Sequence, residues 1–129
     1  MSIRFFCYLL LPFFVACKSS STVTATHLPV PDTATISNAY PLVTAAVSIS
    51  PDSGTLYRLG LAPYASYFKF DRSVKNGDLF YKAIEESIKK FTPLKFYVLN
   101  NGTGQVVAVT DPSADEVEKF NKTWTKEKK

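Results

Sequence analysis

The sequence predicts an α+β fold, a mostly antiparallel sheet of four to five strands with two helices packed on one face. Two observations carry that prediction. Apolar residues alternate at period two in runs that reverse at turn-forming sequences, and two other runs space their apolar residues three and four apart.

The first alternating run is Leu42 to Ser50, where Val43, Ala45, Val47 and Ile49 would share the buried face of a strand. Pro51-Asp52-Ser53-Gly54 then combines proline's fixed φ with a closing glycine, the chemistry of a tight reversal. Thr55 to Ala62 returns as a second strand with Tyr57, Leu59 and Leu61 on one face and Arg58 and Gly60 on the other. After Pro63, the run Tyr64 to Phe70 predicts a third strand with Tyr64, Ser66, Phe68 and Phe70 aligned. Beyond Asn76-Gly77, Asp78 is placed to cap a helix over Leu79 to Phe91, with Phe80, Ile84, Ile88 and Phe91 as its stripe and Glu85 to Lys89 as a supporting pair. Thr92-Pro93 ends it. Residues 94–99 and 105–110 flank Asn100-Asn101-Gly102-Thr103-Gly104 as a hairpin. Ser113 and Glu116 have capping-box spacing before a last helix with Val117, Phe120 and Trp124 on one side. The order is β-β-β-α-β-β-α, which suits helices layered on an antiparallel sheet.

A chain of 129 residues has room for one such domain. We place it at residues 40–129. Ahead of it, Met1 to Arg4 is basic, Phe5 to Ala16 is apolar, and Cys17-Lys18-Ser19-Ser20-Ser21 is polar, the order of a secretory leader. As a helix the apolar stretch would rise roughly 18 Å, short of the ~30 Å hydrocarbon core of a bilayer. Phe14-Val15-Ala16-Cys17 resembles the lipobox of bacterial lipoproteins, in which a small residue precedes a cysteine that becomes the lipidated first residue; Phe14 departs from the leucine usual there. The resemblance covers about the first twenty residues. It implies a leader over residues 1–16, a lipid on Cys17, and, through Lys18, delivery to an outer membrane facing the periplasm. The chemistry requires a nucleophilic sulfur, which serine or alanine lacks. Residues 17–39, rich in Ser, Thr and Pro, are expected to be a flexible tether with a solvated His27, the alternative being that part of the segment pairs with the domain, as an edge strand over Thr22-Val23-Thr24-Ala25-Thr26 would.

Between residues 40 and 129 there is neither Cys nor His, which removes the usual nucleophile, proton shuttle and transition-metal ligands. No cofactor or metal is expected. The net charge of +4 is mild and falls to +3 once Arg4 leaves with the leader, so nucleic acid is not an expected partner. Glu85 and Glu86 point about 100° apart on a helix and cannot act together on one substrate. The Gly102-x-Gly104 loop joins two strands and is read as a turn, not a phosphate cradle. Candidate binding residues remain on the second and third strands, where Arg58, Tyr67 and Lys69 would share the face turned away from the helices. Lys69, Arg72 and Lys75 form a basic group near the start of the first helix.

The expected function is that of a noncatalytic, membrane-tethered binding or assembly module of the bacterial envelope, meeting an envelope protein or cell-wall partner. A lipid-anchored periplasmic inhibitor or immunity protein is the alternative. A small envelope enzyme using Asp71, Asp78 or Asp111 comes third.

Overall fold

The computed structural model describes residues 27–126; the leader, Cys17 and the first part of the expected tether lie outside the described residues. The elements are α1 (Thr33–Ile36), β1 (Ala39–Ser53), β2 (Leu56–Leu61), β3 (Phe68–Asp71), α2 (Gly77–Lys90), β4 (Pro93–Leu99), β5 (Gln105–Thr110) and α3 (Ala114–Lys126). The class is α+β, with the expected element order behind one added short helix.

The strands close into a barrel in the order β1-β2-β3-β5-β4, with β4 returning to β1. All pairings are antiparallel except β3 with β5, where Lys69 faces Gln105 and Phe70 faces Val106. The mostly antiparallel five-stranded sheet is the expected one, and it closes on itself. Closure depends on β1, whose first half pairs with β4 from Ala39 to Ala45 and whose second half pairs with β2 from Ala46 to Ser53. The ladder shifts between Ala46 and Ser48, a bulge at Val47 that lets one strand turn a corner and serve both neighbours. The bulge changes the phase of the strand: Leu42 and Ala46 turn to the core ahead of it, Ile49 packs there beyond it as expected, and Val47 is exposed.

Leu59, Leu61, Phe70, Phe96, Val98, Val106 and Val109 fill the barrel and are almost completely buried. Each such side chain contributes about 1.5–3 kcal/mol relative to exposure. The expected third strand forms only from Phe68, and residues 62–67 make a loop between β2 and β3 that carries Tyr64 and Tyr67. The proline at 63 and the cross-strand partners of β2, which stop at Leu59 opposite Phe68, set that limit.

α2 lies between β3 and β4 in sequence and packs Phe80 and Ile84 into the core. Its amino-terminal cap is Asn76 in the left-handed region, not Asp78 as expected. Gly77 is obligatory there, because a Cβ would fall on the carbonyl oxygen of Arg72. Asp78 instead accepts a 2.7 Å bond from Arg72 Nε, and the helix pair that forms is Glu86 with Lys90, not Glu85 with Lys89. Ser87 fastens the far end: its hydroxyl accepts from Ala46 N at 3.0 Å and donates to Thr92 O at 2.6 Å. Phe91 ends α2 at φ 52°, ψ 50°, a left-handed conformation unusual for a bulky residue.

From Leu28 onward the expected tether packs against the domain. Leu28 is buried in the core cluster, and its N–H donates to Asp111 Oδ2 at 2.9 Å. The segment is thus pinned to the junction of β5 and α3. α1 follows, and β1 begins at Ala39. No helix among the described residues is long and apolar enough to cross a membrane.

Candidate functional site

The pleat of β2 and β3 sends Leu59, Leu61 and Phe70 inward, so Arg58 and Lys69 must point outward. The register sets these two directly opposite each other. Tyr67, two residues before Lys69 at the loop end, is 63% exposed. The structure therefore brings Arg58, Tyr67 and Lys69 to neighbouring positions on the outer side of β2 and β3. Like charges across a ladder are unfavourable. Asp52 relieves half of this, taking Arg58 Nε and Nη2 at 3.2 and 3.1 Å. Lys69 has no carboxylate within ion-pair distance among the described residues.

Arg72 does not join that pair. It stacks 4.0 Å over the Tyr81 ring, and Asp78 holds its guanidinium pKa above the ordinary value, with a further contribution from Tyr57. The carboxylates weighed for chemistry are likewise engaged in local structure. Asp71 Oδ1 accepts from Ser73 Oγ, Ser73 N and Thr55 Oγ1 at 2.7, 2.9 and 2.8 Å, which lowers its pKa below the usual carboxylate value. Asp111 accepts the Leu28 N–H, with His27 Nδ1 3.8 Å away. Among the described residues no group of His, Cys, Asp and Glu is placed to hold a metal ion.

A second feature was not legible in the sequence. Between α3, β1 and the β2–β3 loop runs a groove of about 370 Å³ whose walls include Val43, Pro63, Tyr64, Phe120 and Trp124. Ser113 starts α3 as expected, its hydroxyl accepting the Glu116 N–H at 3.3 Å. The Glu116 side chain does not complete the capping box. It turns to Lys95 Nζ at 3.1 Å, holding that ammonium's pKa above its ordinary value, and leaves Oε2 buried without a hydrogen-bond partner. Beside the groove, Phe91 packs edge-on to Trp124 with ring centres 5.1 Å apart and lies 5.7 Å from Phe120. Tyr64 meets Phe68 edge-on at 5.6 Å. Two aromatic groups thus meet at the groove, Phe120 and Trp124 with Phe91 behind them on one wall and Tyr64 with Phe68 on the other.

No protein-family model matches the chain, and no curated protein does. Two solved structures share its fold. A crystal structure of pro-protein-glutaminase superposes with a TM-score of 0.56 at 13% identity, over 66% of this chain and 30% of that one. A mutant of pro-protein-glutaminase gives 0.51 at 14% identity, over 60% of this chain and 27% of its own. The chain therefore spans under a third of those proteins' length, and the likeness is one of fold.

Proposed function

We propose that this chain is a lipid-anchored, noncatalytic binding module of a bacterial envelope, tethered through Cys17 and meeting its partner with the outer face of β2 and β3. The observation that carries the reading is the placement of Arg58 opposite Lys69 with an exposed Tyr67 beside them. Two cations at one register position weaken a sheet; Asp52 takes Arg58, which leaves Lys69 beside Tyr67 for an acidic or hydroxyl-rich partner, and tyrosine with arginine is the composition of energetic centres in interfaces. A five-stranded Greek-key barrel adds an argument by fold analogy alone, since OB-type barrels bind oligonucleotides and oligosaccharides on the face of strands 2 and 3. For an exported chain the suitable partners are cell-wall saccharides and envelope proteins.

The test is retention of the purified chain on cell-wall sacculi and on immobilised envelope proteins, wild type against Tyr67→Ala/Lys69→Ala. Loss of an interface centre of this kind lowers affinity about tenfold or more. Equal retention of both would place the site elsewhere, and no retention of either would end the binding reading. Intact mass of the chain isolated from bacterial membranes tests the tether separately, the expected result being an acylated residue 17 at the amino terminus.

A second reading is an inhibitor of an envelope enzyme. It is favoured by one fact: the structures sharing the fold are pro forms of an enzyme, and this chain corresponds to less than a third of each. The third reading is that the chain itself has an enzyme's activity. Ammonia release from a glutamine-containing protein distinguishes these. Release by this chain would overturn the noncatalytic reading, and slowed release by added protein-glutaminase would favour the inhibitor.

A further inference from the structure

We infer that the aromatic ridge formed where α2 ends against α3 rests on the surface of an anionic phospholipid bilayer, with Phe91, Trp124 and Tyr64 at headgroup depth and Lys89 and Lys119 beside them. The inference deepens the tethered reading and rests on it for the bilayer's proximity.

Three observations converge. The first is exposure. Phe91 and Tyr64 remain 40% and 47% exposed, and Trp124 is only partly covered although it touches both Phe91 and Phe120. Large amphipathic rings held at a surface in this way suit a boundary that is apolar on one side and wet on the other. The left-handed backbone at Phe91 serves the same arrangement, because it turns the ring away from the axis of α2 and onto α3.

The second is charge. Lys89 and Lys90 occupy the last turn of α2 just before Phe91, and Lys119 lines the groove with Tyr64 and Trp124. Of the carboxylates nearby, Glu86 pairs with Lys90 at 3.3 Å, Glu116 with Lys95 at 3.1 Å and Glu118 with Lys122 at 2.9 Å, while Glu85 and Asp115 lie one turn before Lys89 and Lys119 without forming an ion pair to them. Lys89 and Lys119 have no carboxylate within ion-pair distance among the described residues, so their charge is available to phosphate headgroups.

The third is where the chain enters. Leu28 is fixed to Asp111, three residues before α3 begins. Nine residues separate Cys17 from His27, and the ten intervening steps span at most about 35 Å even when fully extended. Trp124 lies ten residues along α3 from Ala114, roughly 15 Å along the helix axis. A lipid at residue 17 therefore keeps this side of the barrel within reach of the membrane.

Trp124 is the only tryptophan in the chain, so its emission reports on the ridge directly. The chain isolated from bacterial membranes is reconstituted into vesicles of phosphatidylcholine alone and of phosphatidylcholine with about one-third phosphatidylglycerol, each with and without brominated acyl chains. Co-sedimentation with the neutral vesicles reads the tether. Quenching of Trp124 by brominated lipid reads the ridge. We expect quenching and a blue shift in the anionic vesicles, lost in high salt. Lys89→Ala and Lys119→Ala should each lower the docked-to-free ratio about fivefold, corresponding to ~1 kcal/mol per lysine near an anionic surface. The lysine variants leave the core intact, which unchanged thermal unfolding will verify. Unquenched Trp124 in anionic vesicles overturns the inference. So does quenching that ignores both lysines, or a Trp124 that responds to an acidic protein in solution and to no bilayer. If the chain stays in the supernatant of the neutral vesicles, the tether has failed; the ridge is then judged on that untethered chain by the same Trp124 response to anionic vesicles.

Discussion

α2 and α3 have similar amphipathic patterns in sequence, yet they do different work. α2 buries Gly77, Phe80, Ile84 and Ser87, whereas α3, among the described residues, buries Phe120. α2 closes the space inside the barrel and is bolted to β1 through Ser87. α3 lies outside, held by Phe120, by the Phe91–Trp124 contact and by the Lys95–Glu116 pair. The difference shows that a helical stripe says which side of a helix is apolar, not how deep that side goes.

Substitutions should separate the two helices by size of effect. Ile84→Ala empties a fully buried site and should lower the unfolding free energy by about 4 kcal/mol, within the range for such truncations; a loss near 1 kcal/mol in denaturant titration would mean α2 is not the plug. Ser87→Ala leaves the Ala46 N–H and the Thr92 carbonyl without this partner and should lower it by about 2 kcal/mol. Trp124→Ala should remove only about 1 kcal/mol, because its ring is partly exposed and contributes mainly through aromatic pairing. If Trp124→Ala proved as damaging as Ile84→Ala, the distinction between the helices would be gone.

The smallest effects come from pH, and they reach the helices from opposite ends of the scale. Asp71 closes the turn that leads toward α2, and its pKa is lowered from 3.8 by its bonds to Ser73 and Thr55. Its contribution is complete above that value and is lost as pH falls through the lower folded-state value. Asp71→Asn should therefore flatten the acid limb of stability below about pH 4. Lys95 holds α3, and its pKa is raised from 10.5 by Glu116. That contribution is present below 10.5 and is lost as pH rises through the folded-state value. Trp124 emission should therefore change above about pH 10.5 while far-ultraviolet circular dichroism stays constant.

Much of the fold was legible in the sequence, and the misses have physical causes. The β4–β5 hairpin and both long helices were readable because their patterns are local. The outward direction of Arg58 and Lys69 was readable because alternation alone decides it, whereas Tyr67 falls in the loop before β3. Val47 misled because a bulge shifts the phase of a strand without leaving a compositional mark. Leu28 was missed because one apolar residue among prolines and threonines looks like linker until Asp111 is seen to hold it. The groove beside α3 and the parallel meeting of β3 with β5 arise from elements distant in sequence, and no local period encodes them.

The bend in β1 has a consequence for crowding. Because that strand reaches both of its neighbours, the sheet returns to its own beginning and, among the described residues, leaves no edge strand on which another molecule could zip. Copies gathered on one membrane patch would meet at high local density, where an open sheet invites edge-to-edge aggregation. A ring of strands lets neighbouring copies collide side by side without templating one another.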